Sequence, residues 1–184
     1  MSTASNALNR LASLCAMGAS AALAVYGILQ ITDEQSSQTT VVGIEHVTLA
    51  GLTATLLLLL PMTAVLGRIA RRPRFAAVAM TGMSVLAALT VVSNVRGEDP
   101  SFFAAVAIPS NVLWFGGWVA LAVALKRSGR VPAAVAIGLP ITWVLSLPLS
   151  QFGASLIAAA YWLVVAWLVA HGELVRRREV VSAA

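Results

Sequence analysis

A chain of 184 residues that is 59% hydrophobic and 10% charged cannot clothe a water-soluble globule, whose charged fraction is usually about 25%. The formal charge of +5 does not mark a nucleic-acid binder, because the cations fall in short clusters between long apolar runs rather than along a groove. The single cysteine, Cys15, lies inside an apolar run. It reads as a small packing residue and excludes both an intrachain disulfide and a cysteine-built metal site.

Crossing the hydrocarbon of a bilayer takes about 20 apolar residues in an α-helix. Six runs meet or approach that length. They are Leu11 to Ile31, Glu45 to Leu66, Phe75 to Val95, Phe102 to Leu125, Val131 to Leu147 and Phe152 to Ala170. The first extends too far to be the apolar core of a cleaved signal peptide and reads as a retained helix. The fifth is the shortest and is interrupted by Pro140. The runs are continuous rather than alternating, so they predict helices and not the strands of a barrel. The expected fold is therefore all-α: a polytopic, six-helix membrane bundle forming a single domain. Three runs fall in each half of the chain, but the halves share no residue pattern that would mark an inverted repeat.

The first polar segment, Thr32 to Gly43, is rich in Ser, Thr and Gln and opens with Asp33 and Glu34. With Glu98 and Asp99 it supplies solvated loop charges, without the spacing of a calcium loop. The second and fourth polar segments are tight basic turns, Arg71-Arg72-Pro73-Arg74 and Lys126-Arg127-Ser128-Gly129-Arg130. Such turns anchor a bundle and attract anionic lipid. Eleven of the twelve Lys and Arg residues fall on one side of the six runs, and Arg96 alone falls on the other. By the positive-inside rule this predicts a multi-pass protein of the cell membrane with both termini cytoplasmic.

Polar residues gather towards the opposite, outer face: Tyr26 and Gln30, then Glu45, His46 and Thr48, then Ser93 and Asn94, Ser110 and Asn111, Ser146, Ser150 and Gln151. Individually these are helix caps and interhelical hydrogen bonds; together they predict an outward-opening cavity. Glu45 is the one carboxylate expected at the depth of a span, and it opens the second run. A carboxylate at that place either complements the positive end of its helix or serves as a proton donor and acceptor. His46 follows it about 100° around the helix, as a second candidate acid–base group or as an interfacial histidine bonded to the outer loop. His171 lies at the other face, so the two histidines cannot share a metal.

Asn111, Trp114 and Trp118 recur at helical spacing on the fourth run, beside Gly116 and Gly117, and one turn after Pro109. Trp114, Trp143, Tyr161 and Trp162 are deeper than the aromatic belts of a bilayer interface and read either as interior packing or as a wall around an apolar or cationic ligand. Trp118 and Trp167 read as interfacial anchors. Phosphate loops, nucleophile elbows, zinc-protease helices and paired cysteines are absent from the sequence, and no cofactor or metal is implied.

Three function classes follow. One is an acid–base membrane enzyme of isomerase or cyclase type acting on a lipid-soluble molecule. Glu45 would be its acid, Asn111 and Gln151 would orient the substrate, and the aromatics would line the pocket. Another is a small proton-coupled transporter or export accessory, and the third is a non-catalytic subunit of a homo-oligomer or larger membrane assembly. The topology has a direct test. A reporter fused after Arg72 or Arg127 is expected to read cytoplasmic and one placed at Ser36 to read external; a reversed signal at any of the three refutes the arrangement.

Overall fold

The computed structural model describes residues 3–32, 41 and 43–175. The acidic pair Asp33 and Glu34 and the terminal cluster Arg176, Arg177 and Arg178 lie outside them. Six helices follow one another: α1 (Thr3–Thr32), α2 (Ile44–Ile69), α3 (Pro73–Arg96), α4 (Phe103–Ser128), α5 (Ala133–Ser146) and α6 (Ala154–Ala170), with a 3₁₀ turn at Ser150–Phe152. Each coincides with one of the apolar runs to within a few residues, except that α1 begins well before Leu11. Internal prolines are carried by α2, α4 and α5, at Pro61, Pro109 and Pro140.

Each helix packs on the next, and α6 returns to α1, so the six close into an antiparallel ring. Four of them, α1 to α4, are long and apolar enough to cross a membrane. The 14 residues of α5 and 17 of α6 are shorter, about 21 and 26 Å at 1.5 Å per residue. Both nevertheless run from one end of the bundle to the other. The loop before α5 is tied to the end of α2 by Arg130, whose Nη1 donates to the Ile69 carbonyl at 3.3 Å. The turn after α5 reaches the far end of α1, where Ser150 hydrogen-bonds Tyr26 and Gly153 meets Ile31. Returning along α1, α6 places Ser155 against Gly27 and the Ala159 carbonyl 2.7 Å from the Ser20 hydroxyl.

This winding sorts the charges. Arg68, Arg71, Arg72, Arg74, Lys126, Arg127 and Arg130 follow or precede helix ends that meet at one end of the ring, and Arg10 belongs to the first turns of α1 at that same end. Arg96 is at the other end, 3.3 Å from Glu98. There Val41 N–H donates to the Gly97 carbonyl at 2.7 Å, which fastens the chain entering α2 to the turn leaving α3.

Small residues set the distances between helices. Gly82 and Gly117 bring α3 and α4 into backbone contact: a Cβ on Gly82 would lie 2.4 Å from the Ser110 carbonyl oxygen, and one on Gly117 would lie 2.5 Å from the Ala79 amide nitrogen. Gly116 faces open space. Close approach of this kind is how membrane helices gain dispersion energy from each other when lipid tails compete for the same contacts. Gly117→Ala is expected to lower stability in detergent by about 1–3 kcal/mol, the usual cost of overpacking. Gly116→Ala should be neutral or stabilise by up to about 1 kcal/mol, from helix propensity. Thermal unfolding of the two variants side by side checks both signs.

Candidate functional site

The candidate residues separate into three places. The first is the bundle interior. Trp114 and Trp118 on α4 and Trp162 on α6 are 2%, 1% and 1% exposed. Trp114 meets Trp118 edge-to-face at 5.2 Å between ring centroids, Trp118 meets Trp162 at 5.4 Å, and Trp162 meets Tyr161 at 5.2 Å. The indoles of α4 and α6 thus touch behind α5, the helix that stands between them in the ring. Tyr161 is turned towards α5, where its hydroxyl donates to the Val135 carbonyl at 2.7 Å and its ring occupies the space that a side chain at Gly138 would take. Trp118 is therefore not an interfacial anchor. It is at the centre of a packed aromatic chain, because α4 turns Trp114, Gly117, Trp118 and Leu121 to the same buried face. Trp167 is 46% exposed and 4.6 Å from the His171 ring.

The second place is the end of the bundle opposite the basic cluster, where Arg96 pairs with Glu98. Glu45 is half-buried in the first turn of α2. Next to it, His46 is clamped to α3: its Nδ1 pairs with the Asn94 side-chain oxygen, and Asn94 Nδ2 donates to the His46 carbonyl at 3.2 Å. A nearby α2–α3 bond joins the hydroxyls of Thr53 and Thr90 at 2.7 Å. Other buried hydroxyls at this end turn back on their own segments, as Thr48 to the Ile44 carbonyl, Ser110 to that of Val106 and Ser150 to that of Leu147, whereas Ser93 Oγ is buried without a partner. Gln151 belongs to the exposed 3₁₀ turn.

The third place is a lateral groove of about 400 Å³ between the first half of α4 and the end of α5, lined by Ile108, Asn111, Val112, Phe115, Trp143, Leu147 and Pro148. Its polar feature is an oriented amide. Asn111 Nδ2 donates to the Ala107 carbonyl at 3.0 Å, and Asn111 Oδ1 accepts from Trp143 Nε1 at 3.2 Å. The Trp143 ring also rests on Phe115, 4.9 Å between centroids. An amide offers two donor and two acceptor positions, and these bonds use one of each. Among the described residues, no ionisable side chain lines the groove.

The structure thus brings Asn111 to Trp143 and links Trp114 through Trp118 to Trp162 and Tyr161, but it keeps the two sets apart. Glu45 and His46 are on α2, which packs between α1 and α3, away from the α4–α5 groove. Sequence reasoning overlooked Ile108, Val112 and Phe115. Their signal was present: with Asn111 they recur at i, i+3, i+4 and i+7, a stripe that turns away from the Trp114 stripe. It also overlooked Asn94 as the partner of His46.

The indole chain has a measurable weight. Trp118→Ala should cost about 3–5 kcal/mol, as for other buried aromatics. Trp167→Ala should change stability by no more than about 0.5 kcal/mol, as for exposed positions. Equal losses in detergent unfolding would contradict the assignment of Trp118 to the interior. No protein-family model matches this chain, and neither does any curated protein or solved structure.

Proposed function

We propose that this chain is a membrane protein that holds a small lipid-soluble molecule in the α4–α5 groove. The observation that carries the reading is the pairing of an apolar trough with one preorganised amide, Asn111 fixed by Trp143. Ligand sites are mostly apolar concavities of about 300–1,000 Å³ with a few placed polar groups, and the groove is at the small end of that range. Ile108 and Val112 on its rim are widely exposed, so a ligand dissolved in the bilayer enters sideways without crossing water. The ring of the ligand would lie on Phe115 and Trp143, and a hydroxyl or carbonyl on it would use the remaining donor and acceptor positions of Asn111.

A second reading, acid–base chemistry or proton coupling at Glu45, draws support from a half-buried carboxylate beside the His46–Asn94 clamp. It would act at the α2–α3 end of the bundle rather than in the groove. The two readings separate by mutation. If the groove is the site, solvent extraction and mass spectrometry of purified protein should recover a bound lipid-soluble molecule, and Asn111→Leu should reduce its recovery by about tenfold through loss of one buried hydrogen bond. Recovery unchanged in Asn111→Leu would refute the groove. If Glu45 is a general acid, Glu45→Gln should slow turnover by about 10²–10⁴-fold in a protein that still folds. If it couples transport to protons, binding survives and gradient dependence is lost. If it only complements the helix end, the change costs about 0.3–1 kcal/mol and nothing else.

A further inference from the structure

The basic end of the bundle carries a second concavity, independent of the α4–α5 groove. It has a volume of about 530 Å³ and lies between the start of α3 and the end of α4. Arg72, Arg74 and Arg127 line it together with Ser128, and its wall is formed by Ala70, Phe75, Ala120, Val123 and Ala124. Three guanidinium groups therefore share one hollow, and no carboxylate of the described residues lines it.

The backbone adds to this excess of positive charge. Pro73 is in the first turn of α3, the turn contains no acidic residue, and no side chain caps it. The aligned peptide dipoles favour an anion at the helix start, although Pro73 has no N–H and Phe75 N–H is bonded to the Arg72 carbonyl. The preceding turn is held tightly, with Arg71 N–H donating to the Arg68 carbonyl and Arg72 N–H to that of Gly67. Arg71 adopts a left-handed φ of 55°, an unfavourable conformation for a side-chain-bearing residue. Arg74 is steadied over the Phe75 ring, 5.4 Å from its centroid. Arg127 is in the last turn of α4. Ser128 is already engaged, donating to the Leu125 carbonyl and accepting from Arg130 N–H, so it shapes the hollow rather than contributing a free donor.

The hollow changes character along α4. Arg127 and Ser128 end it at the charged face, whereas Ala120, Val123 and Ala124 continue it into the apolar body of the helix, where Val123 is 44% exposed. A free phosphate would use only the first part. A molecule with an anionic phosphate joined to a hydrocarbon chain would use both.

We propose that this hollow binds an anionic phospholipid, its phosphate among Arg72, Arg74, Arg127 and the start of α3, and one acyl chain along Ala120, Val123 and Ala124. Guanidinium groups suit the site because they offer paired, planar donors to phosphate oxygens. The bound lipid would neutralise the positive end of α3 and cross-link α3 to α4 at the membrane surface.

The test compares lipid retention by native mass spectrometry of the detergent-purified full chain, titrated with phosphatidylglycerol or with phosphatidylcholine. Phosphatidylglycerol should be retained more tightly. The triple variant Arg72→Gln, Arg74→Gln, Arg127→Gln should weaken it by about tenfold or more. A control, Arg10→Gln, Arg68→Gln, Lys126→Gln, removes equal charge from the same end and should retain most of the binding. Equal loss in the two variants would mean diffuse attraction to the basic face and would overturn the site. Displacement of the lipid by millimolar inorganic phosphate would identify a free-anion site and overturn the lipid assignment. If the first variant does not fold, the wild-type comparison still decides, because equal retention of the two lipids refutes the proposal.

Discussion

A bilayer interior offers a peptide group nothing to bond to, and the architecture of this protein follows from that single constraint. Every N–H and C=O within the apolar runs must be satisfied by the chain itself, so each run becomes a helix. The same scarcity governs the side chains. Thr48, Thr55, Thr63 and Ser110 turn their hydroxyls back to carbonyls four residues earlier. Hydrogen bonds that leave a helix join neighbours, among them Ser20 to α6, Thr53 to Thr90, His46 to Asn94, Trp143 to Asn111 and Tyr161 to the Val135 carbonyl. Between α3 and α4, Gly82 and Gly117 substitute proximity for such bonds.

The fold was legible because length and hydropathy act locally. A run such as Phe102 to Leu125 has one permitted backbone conformation in lipid, and tight basic turns leave adjacent helices little choice but to pack antiparallel. Closure of the ring was not legible, since the contact of α6 with α1 depends on Gly27 meeting Ser155 across more than a hundred residues. Side-chain direction was legible only in part. Asn111 and Trp114 are three residues apart and near one face, yet that face straddles the boundary between the groove and the interior. A difference of about 60° in helical phase sends Asn111 to Trp143 and Trp114 to Trp118. Sequence periodicity resolves which residues share a stripe, but not which neighbour each stripe meets.

The same limit affected His46. Its separation from Glu45 around the helix follows from geometry, but the choice of Asn94 as its partner depends on the antiparallel register of α2 and α3. At the other end of the pair that register brings Gly67 close against Ala76. The pairing of these polar side chains thus depends on contacts remote from them, which sequence spacing does not show.

The interior indoles raise a sharper energetic question. Among the described residues, Trp114 Nε1 and Trp118 Nε1 are buried without a hydrogen-bond partner, a defect that usually costs about 1–3 kcal/mol each in a soluble protein. That cost is measured against an unfolded state bonded to water. For a membrane bundle the reference is separated helices in lipid, where an indole at the same depth also has no water, so most of the penalty is present before the helices assemble. What assembly changes is contact. Lipid chains are mobile and fill the space beside a large planar ring poorly, whereas Trp118 lies between Trp114 and Trp162 at ring distances that favour edge-to-face and tilted packing. Only a side chain of indole size spans from α4 to α6 behind the short helix α5. A smaller residue at position 118 would leave that gap open, and α4 and α6 would lose the aromatic contact that joins them across α5.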